Sequence, residues 1–74
     1  MEFVFVRYWR RRTVHIDGVE GGMTNVVLTV GEEGFHRFEL SPPPNYTPLQ
    51  QRKLVRNTSP QFPLEIGFRH QSQP

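Results

Sequence analysis

Apolar residues along this 74-residue chain recur mostly at every second position, the period of a strand with one face buried. In Thr13-Val14-His15-Ile16-Asp17, Val14 and Ile16 share one face and His15 and Asp17 the other. Phe35 to Leu40 sets His36, Phe38 and Leu40 against Phe35, Arg37 and Glu39. Leu64 to Arg69 alternates with its apolar residues inward. Two further stretches are apolar on both faces. Phe3 to Trp9 is β-branched and aromatic, and Asn25 to Val30 is nearly continuous, as a fully buried strand is. No window of 11 residues carries helical i, i+3, i+4, i+7 spacing. Pro48 to Val55 reads two ways, as a short helix capped by Thr47 or as a strand that ends at Asn57.

Between these segments lie turn residues. Asp17-Gly18 and Gly21-Gly22 can supply the positive φ of tight turns. Gly31-Glu32-Glu33-Gly34 has the length of a hairpin loop. Ser41-Pro42-Pro43-Pro44-Asn45 is a stiff spacer, since three successive residues lack an N–H. Asn57 to Pro60 is another loop. The pattern predicts one all-β domain over residues 1–69, a small antiparallel β-sandwich or partly open barrel of five to six strands, followed by a disordered polar tail over residues 70–74. The expected core is Phe5, Val14, Ile16, Val26, Leu28, Val30, Phe38, Leu40, Leu64, Ile66 and Phe68.

Size sharpens this picture. A domain so short buries only about 60% of its unfolded surface. Without cysteine it has no disulfide or thiolate zinc site to help, so the core must close well or borrow area from a partner. No apolar run approaches the roughly 20 residues needed to span a bilayer. Met1 to Tyr8 is too short for a secretory core, and the basic cluster follows it rather than preceding it. The expectation is a cytoplasmic protein with no membrane partner. A domain cut from a longer exported chain would read the same.

The net charge of +2 conceals an uneven distribution. Residues 1–12 are net +3, residues 13–49 net −4 and residues 50–74 net +3. Such a chain can pair its charges internally or between copies, and it offers basic surface to an anionic partner.

Catalytic constellations are missing. Ser41, Ser59 and Ser72 lie beside prolines or near the terminus, away from any nucleophile elbow. His15 with Asp17, joined by His36 or His70, is the one conceivable metal set, but zinc needs three or four converging ligands, and a surface His beside an Asp usually makes a local hydrogen bond. Gly18, Gly21 and Gly22 fit no phosphate-loop pattern and precede no helix. No catalytic, cofactor-binding or metal residue is therefore assigned, and no cofactor is expected. The sharpest feature is Tyr8-Trp9-Arg10-Arg11-Arg12, the candidate partner-binding residues. Aromatic rings stack on unpaired bases and Arg forks grip phosphate, so an exposed strand of this composition suits single-stranded nucleic acid. The plainer reading is an edge strand guarded by Arg against sheet association, its charges paired with Glu32, Glu33 or Glu39. The Phe3 to Tyr8 segment, apolar on both faces, in turn needs a cover, which a protein partner or a second copy in a homodimer could supply by edge pairing or by sheet stacking.

From Val14 to Phe68 the order of features resembles a PEGA domain. Val14-His15-Ile16-Asp17-Gly18 resembles the family's "VxVDG" strand and turn, and Gly22 with Thr24-Asn25 its "G-x-T-P" step. Gly34 to Leu40 resembles "G-x-H-x-V-x-V", Asn45-Tyr46-Thr47-Pro48 resembles "G-Y-x-P", and Leu64 to Phe68 is the closing strand. The resemblance implies a β-sandwich module without catalytic residues, found on surface or signalling proteins and binding protein or carbohydrate. Tyr46 is expected to lay its ring on the sandwich end while its hydroxyl reaches a backbone partner. The expected function is a non-catalytic, protein-binding interaction module. The alternative is single-stranded nucleic-acid binding through Tyr8 to Arg12.

Overall fold

The chain forms nine strands and no helix over residues 1–71, the residues described by the computed structural model. They are β1 (Glu2–Arg7), β2 (Thr13–Ile16), β3 (Val19–Met23), β4 (Val27–Val30), β5 (Gly34–Leu40), β6 (Tyr46–Thr47), β7 (Gln51–Val55), β8 (Leu64–Gly67) and β9 (Arg69–His70). One sheet has the order β4-β1-β8, a second the order β3-β2-β5-β7, and β6 pairs with β9 in a short ribbon. The fold is all-β, and its sheets stay open rather than closing into a barrel. The first sheet sends Val4, Val6, Leu28, Val30 and Ile66 into the core, and the second sends Val14, Phe38, Leu40 and Val55. Tyr8, Tyr46 and Phe68 close one end of it. No buried side-chain nitrogen or oxygen among the described residues lacks a partner.

Every pairing is antiparallel except one: β1 and β8 run parallel, with Val4 beside Leu64 and Arg7 beside Gly67. β1 is therefore the central strand of its sheet. This corrects two expectations, since Phe3 to Tyr8 is neither an edge guarded by Arg nor an edge open to a partner. Its buried face is that of Val4 and Val6, while Phe5 is only half-buried. Beyond the start of β8, Thr58 continues the ladder. Its hydroxyl accepts the Phe3 N–H at 2.7 Å, and its own N–H and hydroxyl reach the Glu2 carboxylate at 3.0 and 2.5 Å. Those two bonds hold the Glu2 carboxyl below its ordinary pKa.

Asp17 and Gly18 form the expected tight turn. Their φ values of 54° and 83° suit a two-residue hairpin with Ile16 opposite Val19. Gly21-Gly22 is no turn but the interior of β3, and the register slips there so that Val14 faces Gly22 while His15 faces Glu20. An extra residue of this kind is a β-bulge. Gly31 to Gly34 is not a hairpin loop either, because β4 and β5 belong to different sheets. Val26 and Val27 are 49% and 45% exposed, so the expected buried run shrinks to Leu28 and Val30, and Val26 leaves the core. Pro48 to Val55 resolves as strand β7 from Gln51 onward, at the sheet edge. There Lys53 lies opposite His36 on the inward-facing register, a charge that discourages edge-to-edge pairing. His70 and Gln71 belong to the fold rather than to a tail: His70 pairs with Tyr46, and the Gln71 N–H donates to Asn45 O at 2.9 Å. Residues 72–74, the rest of the expected tail, lie outside the described residues. No helix among the described residues is long and apolar enough to cross a membrane.

Candidate functional site

Tyr8 to Arg12 is the crossing from one sheet to the other, not the strand expected from its composition. Backbone groups in such a crossing need partners, and Thr24 and Asn25 supply them from the matching crossing between β3 and β4. The buried Thr24 hydroxyl donates to Arg10 O at 2.7 Å and accepts the Arg12 N–H at 2.8 Å. The Thr24 N–H donates to Arg12 O at 2.8 Å. Asn25, with a φ of 66°, turns its side-chain oxygen to accept the Tyr8 N–H at 3.0 Å. The loop is thereby fixed at three successive places.

The five residues then take separate roles. Tyr8 is 4% exposed and packs edge-on against Tyr46, with centroids 6.5 Å apart, so it is core rather than a stacking platform. Tyr46 in turn meets Phe68 edge-on at 5.5 Å, and its hydroxyl donates to Leu40 O at 2.8 Å and accepts the Leu40 N–H at 3.2 Å, the backbone reach expected of it. Arg12 turns inward over this cluster, 5.8 Å from the Tyr8 centroid and 5.4 Å from that of Tyr46. Its guanidinium donates to Tyr8 OH at 3.3 Å, to Asn45 Oδ1 at 2.7 Å, to Ser41 O at 2.6 Å and to Pro43 O. Arg12 is thus consumed in tying the proline spacer to the crossing loop.

Trp9, Arg10 and Arg11 are left on the surface. Trp9 is 57% exposed, with the Arg10 guanidinium 4.0 Å from its ring and the His70 ring 4.7 Å away. Arg10 and Arg11 make no ion pair among the described residues. Glu39 bonds Arg37 instead, and Glu32 and Glu33 lie at the other end of β4. The pairing expected between the Arg cluster and these glutamates is absent. Tyr8 to Arg12 together with Pro43, Asn45 and His70 line an open pocket of about 420 Å³, and no carboxylate lines it. The sequence points to the place but not to His70, which arrives from the far end of the chain, nor to Thr24 and Asn25. An isolated polar pair between two strand-like runs was the available signal for those two.

The opposite end of the molecule carries a cluster of carboxylates, with Lys53 opposite His36 and Arg56 one residue past Val55, the partner of Gly34. Asp17 and Glu32 border a second pocket with Glu20, and the half-buried His36 sits between them. The Nδ1 of His36 lies 2.6 Å from Asp17 Oδ2 and its Nε2 lies 2.8 Å from Glu32 O. Both ring nitrogens face acceptors, so the doubly protonated ring is the form that satisfies both contacts. The Asp17 hydrogen bond foremost, with a further push from the Glu32 carbonyl, raises the His36 pKa against the opposing effect of burial. The Arg37 N–H, 2.9 Å from Asp17 Oδ1, and then His36 hold the Asp17 carboxyl below its ordinary pKa. His15 lies elsewhere, beside Glu39 and Pro42, so the three histidines occupy three separate places and do not converge on one ion. No group of three potential metal ligands occurs among the described residues.

The His36 geometry gives a pH dependence of stability. A raised imidazole pKa contributes stability that is complete below the ordinary histidine range and is lost as pH rises through the folded-state value. A depressed Asp17 pKa contributes above the ordinary aspartate range and is lost as pH falls through its own folded-state value. Urea midpoints of the native protein and of His36→Gln, compared from about pH 5 to pH 9, should differ most at the acidic end and converge at the alkaline end. A gap that stayed constant across that range would remove the charged His36 from the account.

Comparison with known protein families, with curated proteins and with solved structures finds no match to this chain.

Proposed function

We propose that the protein is a non-catalytic binding module whose partner is an acidic protein segment, received at the Trp9 pocket. One observation carries this reading. An exposed Trp9, flanked by Arg10 and His70, stands on a loop that Thr24, Asn25 and Arg12 hold fixed, in a pocket with no carboxylate. A rigid aromatic anchor with unpaired guanidinium groups beside it is the arrangement that binding hot spots favour, because little ordering entropy remains to be lost. The likeness to a PEGA domain belongs to the same proposal. Its support is the Asp17-Gly18 hairpin turn and the Tyr46 hydroxyl on the Leu40 backbone.

A second reading, single-stranded nucleic acid, is favoured by the open Trp9 ring next to Arg10, since base stacking beside a guanidinium is a common mode of strand binding. Titration followed by Trp9 fluorescence and by amide shifts separates the two. An octa-glutamate peptide should shift amides of Trp9 to Arg11 and His70, and Trp9→Ala should weaken it about tenfold, on the order of 1.4 kcal/mol. A thymidine oligonucleotide that bound more tightly, with a steep salt slope that Arg10→Ala and Arg11→Ala each reduced by about one phosphate contact, would replace the protein partner by nucleic acid. If neither ligand moved these amides, the pocket would not be the binding surface.

A further inference from the structure

The strand directions set the charged loops at opposite ends. β1 begins at Glu2, paired with Val30 and hence next to Gly31-Glu32-Glu33, and it ends at Arg7, which leads into Trp9-Arg10-Arg11. β2 starts from that same basic loop and ends at the Asp17 turn, which His36 bonds to the Glu32 backbone. Thus one end presents Arg10, Arg11 and His70, and the other presents Glu20, Glu32 and Glu33, with Arg56 one residue past Val55, the partner of Gly34. Glu32 and Glu33 are exposed and form no ion pair among the described residues, as is true of Arg10 and Arg11. The two-residue Glu32-Glu33 projection is also fixed at its base, because the Glu32 carbonyl is held by His36.

We infer that the acidic segment taken by the Trp9 pocket is the Glu32-Glu33 loop of a second copy of this chain. This rests on the reading of the pocket given above. Complementary charge supplies the attraction and the register, while Trp9 supplies the apolar contact. Since donor and acceptor surfaces differ and lie at opposite ends, the contact is head-to-tail. It leaves one pocket and one acidic loop free on every assembly, so association continues beyond a dimer unless the ends meet in a ring. A two-fold homodimer with its axis through the pocket would instead bring Arg10 and Arg11 against their own copies, whereas an antiparallel two-fold pair satisfies both contacts at once and is the smallest closed ring.

The test is sedimentation of three proteins at low salt: the native chain, Arg10→Glu/Arg11→Glu, and Glu32→Arg/Glu33→Arg. The native chain should show an average mass that climbs with concentration above that of the monomer, stopping at two copies if the pair closes, and that falls back to the monomer near 0.5 M salt, where charges are screened within about 4 to 5 Å. Each variant alone should remain monomeric. An equimolar mixture of the two should assemble again, because every contact in it joins opposite charges. All four exchanged charges are surface positions, and circular dichroism checks that each variant folds. If one does not, Arg10→Ala and Glu33→Gln replace the reversals and should each reduce the concentration-dependent mass increase. A native chain that stays monomeric, or a mixture that stays monomeric while the native chain assembles, overturns the inference. Octa-glutamate binding to Glu32→Arg/Glu33→Arg distinguishes the two levels. That variant keeps the Trp9 pocket intact, so if the native chain stays monomeric while the peptide shifts the variant's Trp9 and His70 amides, only the second copy is discarded as partner, whereas no shift at those amides discards the pocket itself.

Discussion

Arg12→Ala should lower the stability of the protein by about 3 kcal/mol, a fall in melting temperature of roughly 15 °C for a domain of this size. The side chain has the position of a keystone rather than of a ligand contact. Its donors meet the Ser41 and Pro43 carbonyls, Asn45 Oδ1 and Tyr8 OH, and its plane lies over two tyrosine rings. Truncation removes charge-assisted hydrogen bonds and leaves partly buried acceptors to find water. It also frees the proline spacer, whose Pro43 and Asn45 form one wall of the Trp9 pocket. Arg12→Lys should recover only part of the loss, because an ammonium cannot reproduce the planar fork that reaches two carbonyls at once. Thermal melts of both variants check this ranking. If Arg12→Lys matched the native protein, the guanidinium geometry would be immaterial and only the charge would count. Arg10→Ala and Arg11→Ala, by contrast, should leave the melting temperature nearly unchanged, which separates the loop's structural arginine from its two surface ones.

That division of labour explains how far the chain could be read without its structure. Three of the strands, β2, β5 and β8, alternate with polar residues outward, so the period alone selects the buried face. The Asp17-Gly18 turn was equally legible because few residue pairs tolerate two positive φ values in succession. β1 was legible as a strand but not in phase. Phe3 and Phe5 are as apolar as Val4 and Val6, and the choice falls to the sheet in which β1 is central. Its parallel partner β8 is nearly the whole chain away, and no local pattern encodes such a pairing. β3 was hidden for the opposite reason: Val-Glu-Gly-Gly-Met has no alternation to read, and β2 supplies its pairing.

The candidate site was legible as a location only. Three consecutive arginines after two aromatics announce a basic, partly apolar surface, yet nothing in the run distinguishes Arg12 from Arg10 and Arg11. The distinction is made by Ser41, Pro43 and Asn45, about thirty residues away, whose acceptors converge on one guanidinium. Tyr8 is withdrawn in the same way by Tyr46. What remains exposed, Trp9 with two arginines, is smaller and more defined than the sequence run, and this narrower surface is what the binding proposal uses.

Gly22→Ala should destabilise the fold by about 3 kcal/mol, although it adds a single methyl group. Two effects combine. Gly22 has a φ of 130°, a backbone state that residues with a Cβ rarely adopt, and that Cβ would stand 2.5 Å from Leu28 Cδ2. Leu28 is 7% exposed and belongs to the core, so its methyl can retreat only by disturbing neighbours on the opposing sheet. Gly21 provides the internal control. Its added Cβ would meet Ile16 Cδ1 at 2.7 Å, but its φ lies outside the positive range and Ile16 is only half-buried, so Gly21→Ala should cost clearly less. The steric share can be isolated with Leu28→Ala, which alone should cost about 3 kcal/mol for the cavity it opens. In the double variant Gly22→Ala/Leu28→Ala the clash disappears while the backbone strain persists. The combined loss in urea unfolding should therefore fall short of the sum by about 1 kcal/mol. Strict additivity would assign the whole Gly22→Ala effect to backbone strain, and an equal cost at Gly21 would mean that the bulge itself, rather than the φ at Gly22, is what excludes a side chain from β3.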